Sequence, residues 1–257
     1  MLCARLRTTA VAALTPLAAM VPEGVMLMAL GCGRFGFRAT VAGSLGLCQC
    51  LVMDLLLPEF CAQPALELAP QLLGKHLRRG EVLMRITEVE AYCFPDDSAN
   101  HCRMGKTPRN APMWGPAGHA YVYLCYGIHH LLNIVSDQPA EGAAVLLRSA
   151  EVVAGADVVA ERRRGRVDPQ VAAGPGNLAA SLGLDRSWNE HALYEPGGLM
   201  LLDGAPPKAL LRGPRVGIAY AQPQHRKALW RFAVAGSAAV TENKSLRHWR
   251  NASGRFS

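Results

Sequence analysis

The sequence predicts one mixed α+β domain. Strand-like runs bounded by Gly and Pro recur at residues 82–92, 119–127 and 143–152, and helix-like segments follow without a regular βαβ alternation. No internal repeat and no Gly-, Pro- or Ser-rich linker divides the body. At 257 residues, half of them hydrophobic and 18% charged, the chain is long enough for a large core and too apolar for a disordered one.

The elements follow in order. Residues 1–53 carry Arg5, Arg7, Arg34 and Arg38 but a single acid, Glu23. Their apolar stretch is too short, and too interrupted by Pro16 and Pro22, to span a bilayer. A targeting peptide fits this composition, but the favoured reading is an extension, weakly ordered or upstream of a true start at Met53. The domain proper is expected over 54–242. "LAPQLLGKHL" fits a short helix from Pro70 to Gly74, since Pro is tolerated in a first turn and Gly closes a helix. "GADVVAERRRG" reads as a helix with Asp157 near its start and Arg162 to Arg164 at its end, matching the helix dipole. "GPGNLAASLGL" opens another, and late strands are expected at "RVGIAYA" and "WRFAVAG". Residues 243–257 form a basic tail in which Lys244, Arg247, Arg250 and Arg255 either fray or touch phosphate.

The formal net charge of +7 suits a phosphate-rich partner without requiring one. All eight cysteines lie in the first half, none in a CxxC pair, and a chain this large needs no staples. Reduced thiols in an intracellular protein are the simpler reading. His101, Cys102 and Cys93 lack a second ligand pair at metal spacing, so neither a metal nor a cofactor is expected.

The chemistry gathers around "EVEAYCFPDDSANHCRMGKTPRN". In a strand, alternate residues share a face, which would line up Val82, Met84, Ile86, Glu88, Glu90 and Tyr92. Three apolar residues, two carboxylates and an aromatic ring then follow one another. A strand end reaching solvent explains this order, and so does a polar site. "YVYLCY" adds Tyr121, Tyr123 and Tyr126 to a chain with only 6% aromatics. Period two sets Tyr123 and Tyr126 on opposite faces. Aromatics favour strands, yet a carboxylate, tyrosines and a histidine in one neighbourhood also make a slot for flat π-systems.

"EVEAY…H…TPRN", "YVYLCYGIHHLLNIV", "GAAVLLR", "AGPGNL" and "RVGIAYA", in this order over about three quarters of the chain, resemble the alkyladenine (3-methyladenine) DNA glycosylases. The resemblance implies a curved antiparallel sheet with short helices around it and a protruding hairpin that enters DNA. It implies a monofunctional base-excision-repair enzyme that flips alkylated or deaminated purines from duplex DNA and hydrolyses the N-glycosidic bond. It assigns Glu90 as the base that activates water and Arg148 as a residue close to that water. Tyr92, His101 and Tyr123 become the base sandwich, with Ala99, Leu146 and the screening residue Asn133 in the same pocket. Tyr126 becomes the wedge, flanked by Ile128 and His129, and Thr107, Arg109 and Asn110 lie near the DNA backbone. Gly174 and Gly176 fit a phosphate contact or a plain helix start. The partner implied is double-stranded DNA bearing damaged purines, with the protein a monomer in the cytoplasm or nucleoid (the nucleus in a eukaryote) and away from membranes.

Glu88, expected on the Glu90 face, would raise its partner's pKa by repulsion. His129 and His130 depart from the aromatic or methionine residues of some relatives, which leaves lesion range open. Two rivals stand: a non-catalytic nucleic-acid-binding module, which has no use for a carboxylate facing a stacking slot, and a nucleoside hydrolase, which needs no wedge.

Overall fold

The computed structural model describes residues 53–137 and 140–249; the expected extension up to residue 52 and the tail beyond residue 249 lie outside them. Strands β1 (His76–Arg79), β2 (Val82–Tyr92), β3 (Ala120–Cys125), β4 (His129–Val135), β5 (Ala144–Ala154), β6 (Leu199–Leu202), β7 (Leu210–Gly213), β8 (Arg231–Val234) and β9 (Arg247–Trp249) form an open antiparallel sheet. Helices α1 (Pro58–Cys61), α2 (Ala65–Leu72), α3 (Ala156–Arg162), α4 (Pro175–Leu182) and α5 (Pro223–Lys227) accompany it. The spatial order is β3-β4-β5-β2-β8-β7-β9, with β1 and β6 branching from β2. One edge of β2 pairs with β5, while the other is divided between β1 at its start and β8 at Glu88 to Glu90.

The main core lies on one face of this sheet. Ala120 and Val122 of β3, Leu132 and Ile134 of β4, and Val145 and Leu147 of β5 pack there with Leu68 and Leu72 of α2 and Leu178 and Leu182 of α4. Each such leucine removed from water contributes about 1.5–3 kcal/mol. The opposite face of β3, β4 and β5 presents Tyr121, Tyr123, Leu131, Asn133 and Leu146, and the cleft forms there.

The alternation expected along β2 breaks after Ile86. Its core positions are Val82, Met84 and Ile86, then Val89 and Ala91. The step of two becomes three because Thr87 has no partner on β5: Ile86 pairs with Ala150 and Glu88 with Ser149. Strand β5 answers in kind, since Arg148 is skipped between Ser149 and Leu147 and its core positions run Val145, Leu147, Ala150. Two neighbouring bulges therefore re-aim the side chains beyond them. Glu88 and Glu90 lie off the core face, and Arg148 is turned toward both.

Other expectations need correction. The helix read from Pro70 starts at Ala65 and contains Pro70 in its last turn. Pro64 leads into it and the Asp137 carboxylate accepts the Ala65 N–H at 3.1 Å, a cap supplied from 72 residues away. "RVGIAYA" is a loop, because the Val216 N–H is directed to Glu90 rather than to a neighbouring strand. The start of the basic tail is edge strand β9, paired to β7, with Trp249 edge-on to Phe232. Helices α3 and α4 form where their caps predict. The last carbonyls of α4 receive Arg79 (at Leu182 and Gly183) and Arg162 (at Ser181), so these cations are committed to a helix end.

Candidate active site

Glu88, Glu90 and Arg148 meet at the paired bulges. Glu90 is fully buried; its Oε1 accepts the Val216 N–H at 2.8 Å and faces Arg148 Nη1 at 3.2 Å, and its Oε2 accepts the Tyr92 hydroxyl at 2.8 Å. A carboxylate offers about four lone-pair sites, so Oε2 retains one that no protein donor occupies. Glu88 has no such reserve. Its oxygens accept Arg148 Nε and Arg231 Nη1 at 3.0 Å, Ser149 Oγ and Thr241 N at 2.8 Å, and Thr241 Oγ1 at 2.9 Å. Two guanidiniums compensate its charge, and Arg148 stands between it and Glu90. The expected repulsive coupling of the carboxylates is thus replaced by a cation bridging both. Burial works against the charge on Arg148, but Glu90 and Glu88 outweigh it and hold its pKa above the usual arginine value.

Beside this cluster opens a cleft of about 750 Å³, with a smaller cavity of about 30 Å³ behind it. Tyr121 and Tyr123, two apart on β3, stack at 5.3 Å with 30° between planes. The His101 ring stands edge-on to Tyr123 at 4.7 Å, and its Nδ1 lies 3.1 Å from the Tyr121 hydroxyl. Burial first, then the cations Arg109 and Arg103, push the His101 pKa down to about 4, so the imidazole is neutral at physiological pH. Tyr92 forms another wall, its pKa raised by burial and by the Glu90 charge. Behind Tyr92, at 4.6 Å, lies the Arg215 guanidinium, held by Asp97 through a fully buried two-point contact of 2.6 and 2.7 Å. Asn133 lines the inner cavity and donates to the Tyr121 carbonyl, Leu146 lines the cleft, and buried Ala99 accepts the Tyr220 hydroxyl at 2.8 Å.

At the rim, β3 turns into β4 through Tyr126 and Gly127, whose φ angles are 50° and 74°, closed by the Ile128 N–H on the Cys125 carbonyl. Positive φ at both central residues is the type I′ pattern, which favours Asn-Gly. This chain puts a tyrosine there, 87% exposed, beside Ile128 at 71%. His129 rests on the start of α4, where a Cβ on Gly176 would come within 2.9 Å of its ring. Thr107 and Arg109 line the cleft with exposed side chains. Asn110 differs. It also lines the cleft but is buried: its Oδ1 accepts the Thr107 N–H, and its Nδ2 donates to the carbonyls of His101 and Gly105, so its amide braces the loop. The Gly174 N–H is likewise committed, to Ser149 Oγ, and Pro175 has none.

The methylpurine-DNA glycosylase family model matches residues 59–238. The chain belongs to the methylpurine-DNA glycosylase family. It is a hydrolase of N-glycosyl bonds in DNA, and DNA is its substrate. It is 56% identical over 194 residues to a Nitrosococcus oceani protein described as a 3-methyladenine DNA glycosylase, covering 76% of this chain and 96% of the relative. It is 54% identical over 195 residues to the DNA-3-methyladenine glycosylase of Arabidopsis thaliana, covering 75% and 76%.

The glycosylase cleft includes residues that sequence reasoning passed over. Tyr220 lines both cavities, its ring 5.6 Å from the Arg103 guanidinium. Val216, Gly217 and Ile218 form one side, and Arg215 and Asp97 fix the loop behind them. Pro214, Gly217 and Pro223 bracket this segment and were the available signal that it turns rather than extends.

Proposed function

We propose that this glycosylase flips an alkylated or deaminated purine out of duplex DNA, holds it among Tyr92, His101 and Tyr123, and hydrolyses its N-glycosidic bond with water activated by Glu90. The observation that carries the reading is a buried carboxylate with one uncommitted lone pair, held directly behind Tyr92, Arg148 and Val216, the three partners that line the aromatic cleft. Glu90 takes a proton from water, the oxygen bonds to C1′ of the sugar, and the bond electrons leave with the base. Burial excludes bulk water, which strengthens each electrostatic contact.

An alkylated purine carries positive charge or a weakened bond, and the neutral His101 lets a cationic ring enter without repulsion. Tyr123 supplies the π face for such a ring. Tyr126 fits the wedge: a bulky aromatic held at the exposed tip in a conformation that Asn or Gly would adopt more readily supports a role outside the fold. The similar proteins described as 3-methyladenine DNA glycosylases support the same lesion class. Among the described residues that line the cleft none is lysine, which supports hydrolysis without strand cleavage.

The test is to incubate duplex oligonucleotides bearing hypoxanthine, ethenoadenine or 3-methyladenine and measure free base. Wild type should release it, and Glu90→Gln should not. Absence of release by wild type refutes the activity, while equal release by Glu90→Gln refutes the assignment of the base.

A further inference from the structure

Arg231 is buried to 0% exposure, yet nothing in the reaction above uses it. Its Nε donates to the Pro214 carbonyl at 2.8 Å, at the head of the loop whose Val216 N–H holds Glu90. Its Nη1 reaches Glu88 Oε1 at 3.0 Å and the Thr241 carbonyl at 3.1 Å. Its Nη2 reaches the Glu242 carbonyl at 3.3 Å and Ser245 Oγ at 2.5 Å. Glu88 collects this bracing and passes it to Arg148. The Arg148 guanidinium is held at three corners: Nε on Glu88 and Nη2 on Thr241 Oγ1 (3.1 Å), which leaves Nη1 aimed at Glu90.

We infer that Glu88, supported by Arg231 and Thr241, is the positioning residue that fixes Arg148 against Glu90, an inference that rests on the reading of Glu90 and Arg148 as the catalytic pair. Two arguments favour positioning over bare stability. A buried ionic cluster is often no more stable than apolar residues of the same volume, so stability alone does not call for two acids and two arginines here. The bulge that omits Arg148 from the β2–β5 ladder also leaves its orientation to side-chain contacts, and Glu88 and Thr241 supply two of the three. Glu88 is itself a saturated acceptor and touches no reacting group.

The experiment compares single-turnover base release from hypoxanthine-containing duplex, enzyme in excess, with affinity for the same duplex. A displaced catalytic group costs about 100-fold in rate. Glu88→Gln should lose about that much while binding stays within about threefold. Thr241→Val, which keeps the volume and the backbone N–H, should lose about tenfold by the same cause, and it serves if Glu88→Gln does not fold. Free guanidinium should restore part of the activity of Arg148→Gly but not of Arg148→Gly combined with Glu88→Gln, since Glu88 forms the seat. A merely structural Glu88 would lower thermal stability and leave the rate of folded enzyme and the rescue unaltered. Wild-type rates in Thr241→Val or in folded Glu88→Gln, or equal rescue with and without Glu88, overturn the inference provided Glu90→Gln is inactive. If Glu90→Gln is as active as wild type, the assignment of the catalytic pair is what fails.

Discussion

Acidification should destabilise this protein through His101. Burial, Arg109 and Arg103 lower its pKa from an ordinary 6.5 to about 4. Between those values the unfolded chain binds a proton that the folded protein refuses. The stabilising contribution is therefore complete above pH 6.5 and is lost as pH falls toward 4. Each pH unit within the window is worth about 1.4 kcal/mol. A drop from pH 7.5 to pH 5 thus removes about 2 kcal/mol, an upper figure because the ring keeps some solvent contact. With an m-value near 2 kcal/mol/M, the urea midpoint should fall by about 1 M more in wild type than in His101→Gln. The comparison isolates His101, because His76, whose pKa is also lowered by burial, contributes equally to both proteins. Arg109→Met should shrink the acid loss, since one of the two cations opposing protonation is gone. Equal acid sensitivity of wild type and His101→Gln would refute the reasoning.

Three further outcomes follow from the cleft. Tyr126→Asn should stabilise the protein by about 0.5–1 kcal/mol, as Asn suits the left-handed turn position, while base release from duplex falls; a destabilised variant in urea unfolding would contradict the strain argument. Asp97→Asn should cost about 3–5 kcal/mol by stranding a buried Arg215 charge, and a loss below about 1 kcal/mol would show the pair is dispensable. Gly176→Ala places a methyl against the His129 ring, so affinity for lesion-bearing duplex should drop several-fold with little change in melting temperature. Unchanged affinity would mean the hairpin needs no brace from α4.

Legibility in the sequence followed locality. Helices α3 and α4 were readable because Gly155, Gly174 and Gly183 bound them and Pro175 opens the second. Strands β3, β5 and β8 were readable from their β-branched and aromatic runs. Strands β1, β6 and β7 contain no β-branched residue and no Phe, Tyr or Trp, β9 spans only three residues, and each exists through the partner it pairs with. The start of α2 depends on Asp137, which no local pattern around Ala65 announces.

The site divides in the same way. By itself the sequence determined which residues were present for chemistry: Glu88 and Glu90 ending an apolar run, a tyrosine-rich strand, a lone His101, and Tyr126 before Gly127, in the order of a known glycosylase family. Tertiary structure alone decided how they are arranged. Whether Thr87 and Arg148 are inserted or paired depends on the facing strand, so the two bulges are invisible in either segment alone. They move both glutamates off the core face, saturate Glu88 and leave Glu90 one open lone pair. The loop 215–221, strand-like in composition, turns because the Glu90 carboxylate and Asp97 take its hydrogen bonds. Residue identity is written locally, but register and hydrogen-bond partners are settled between segments far apart in the chain.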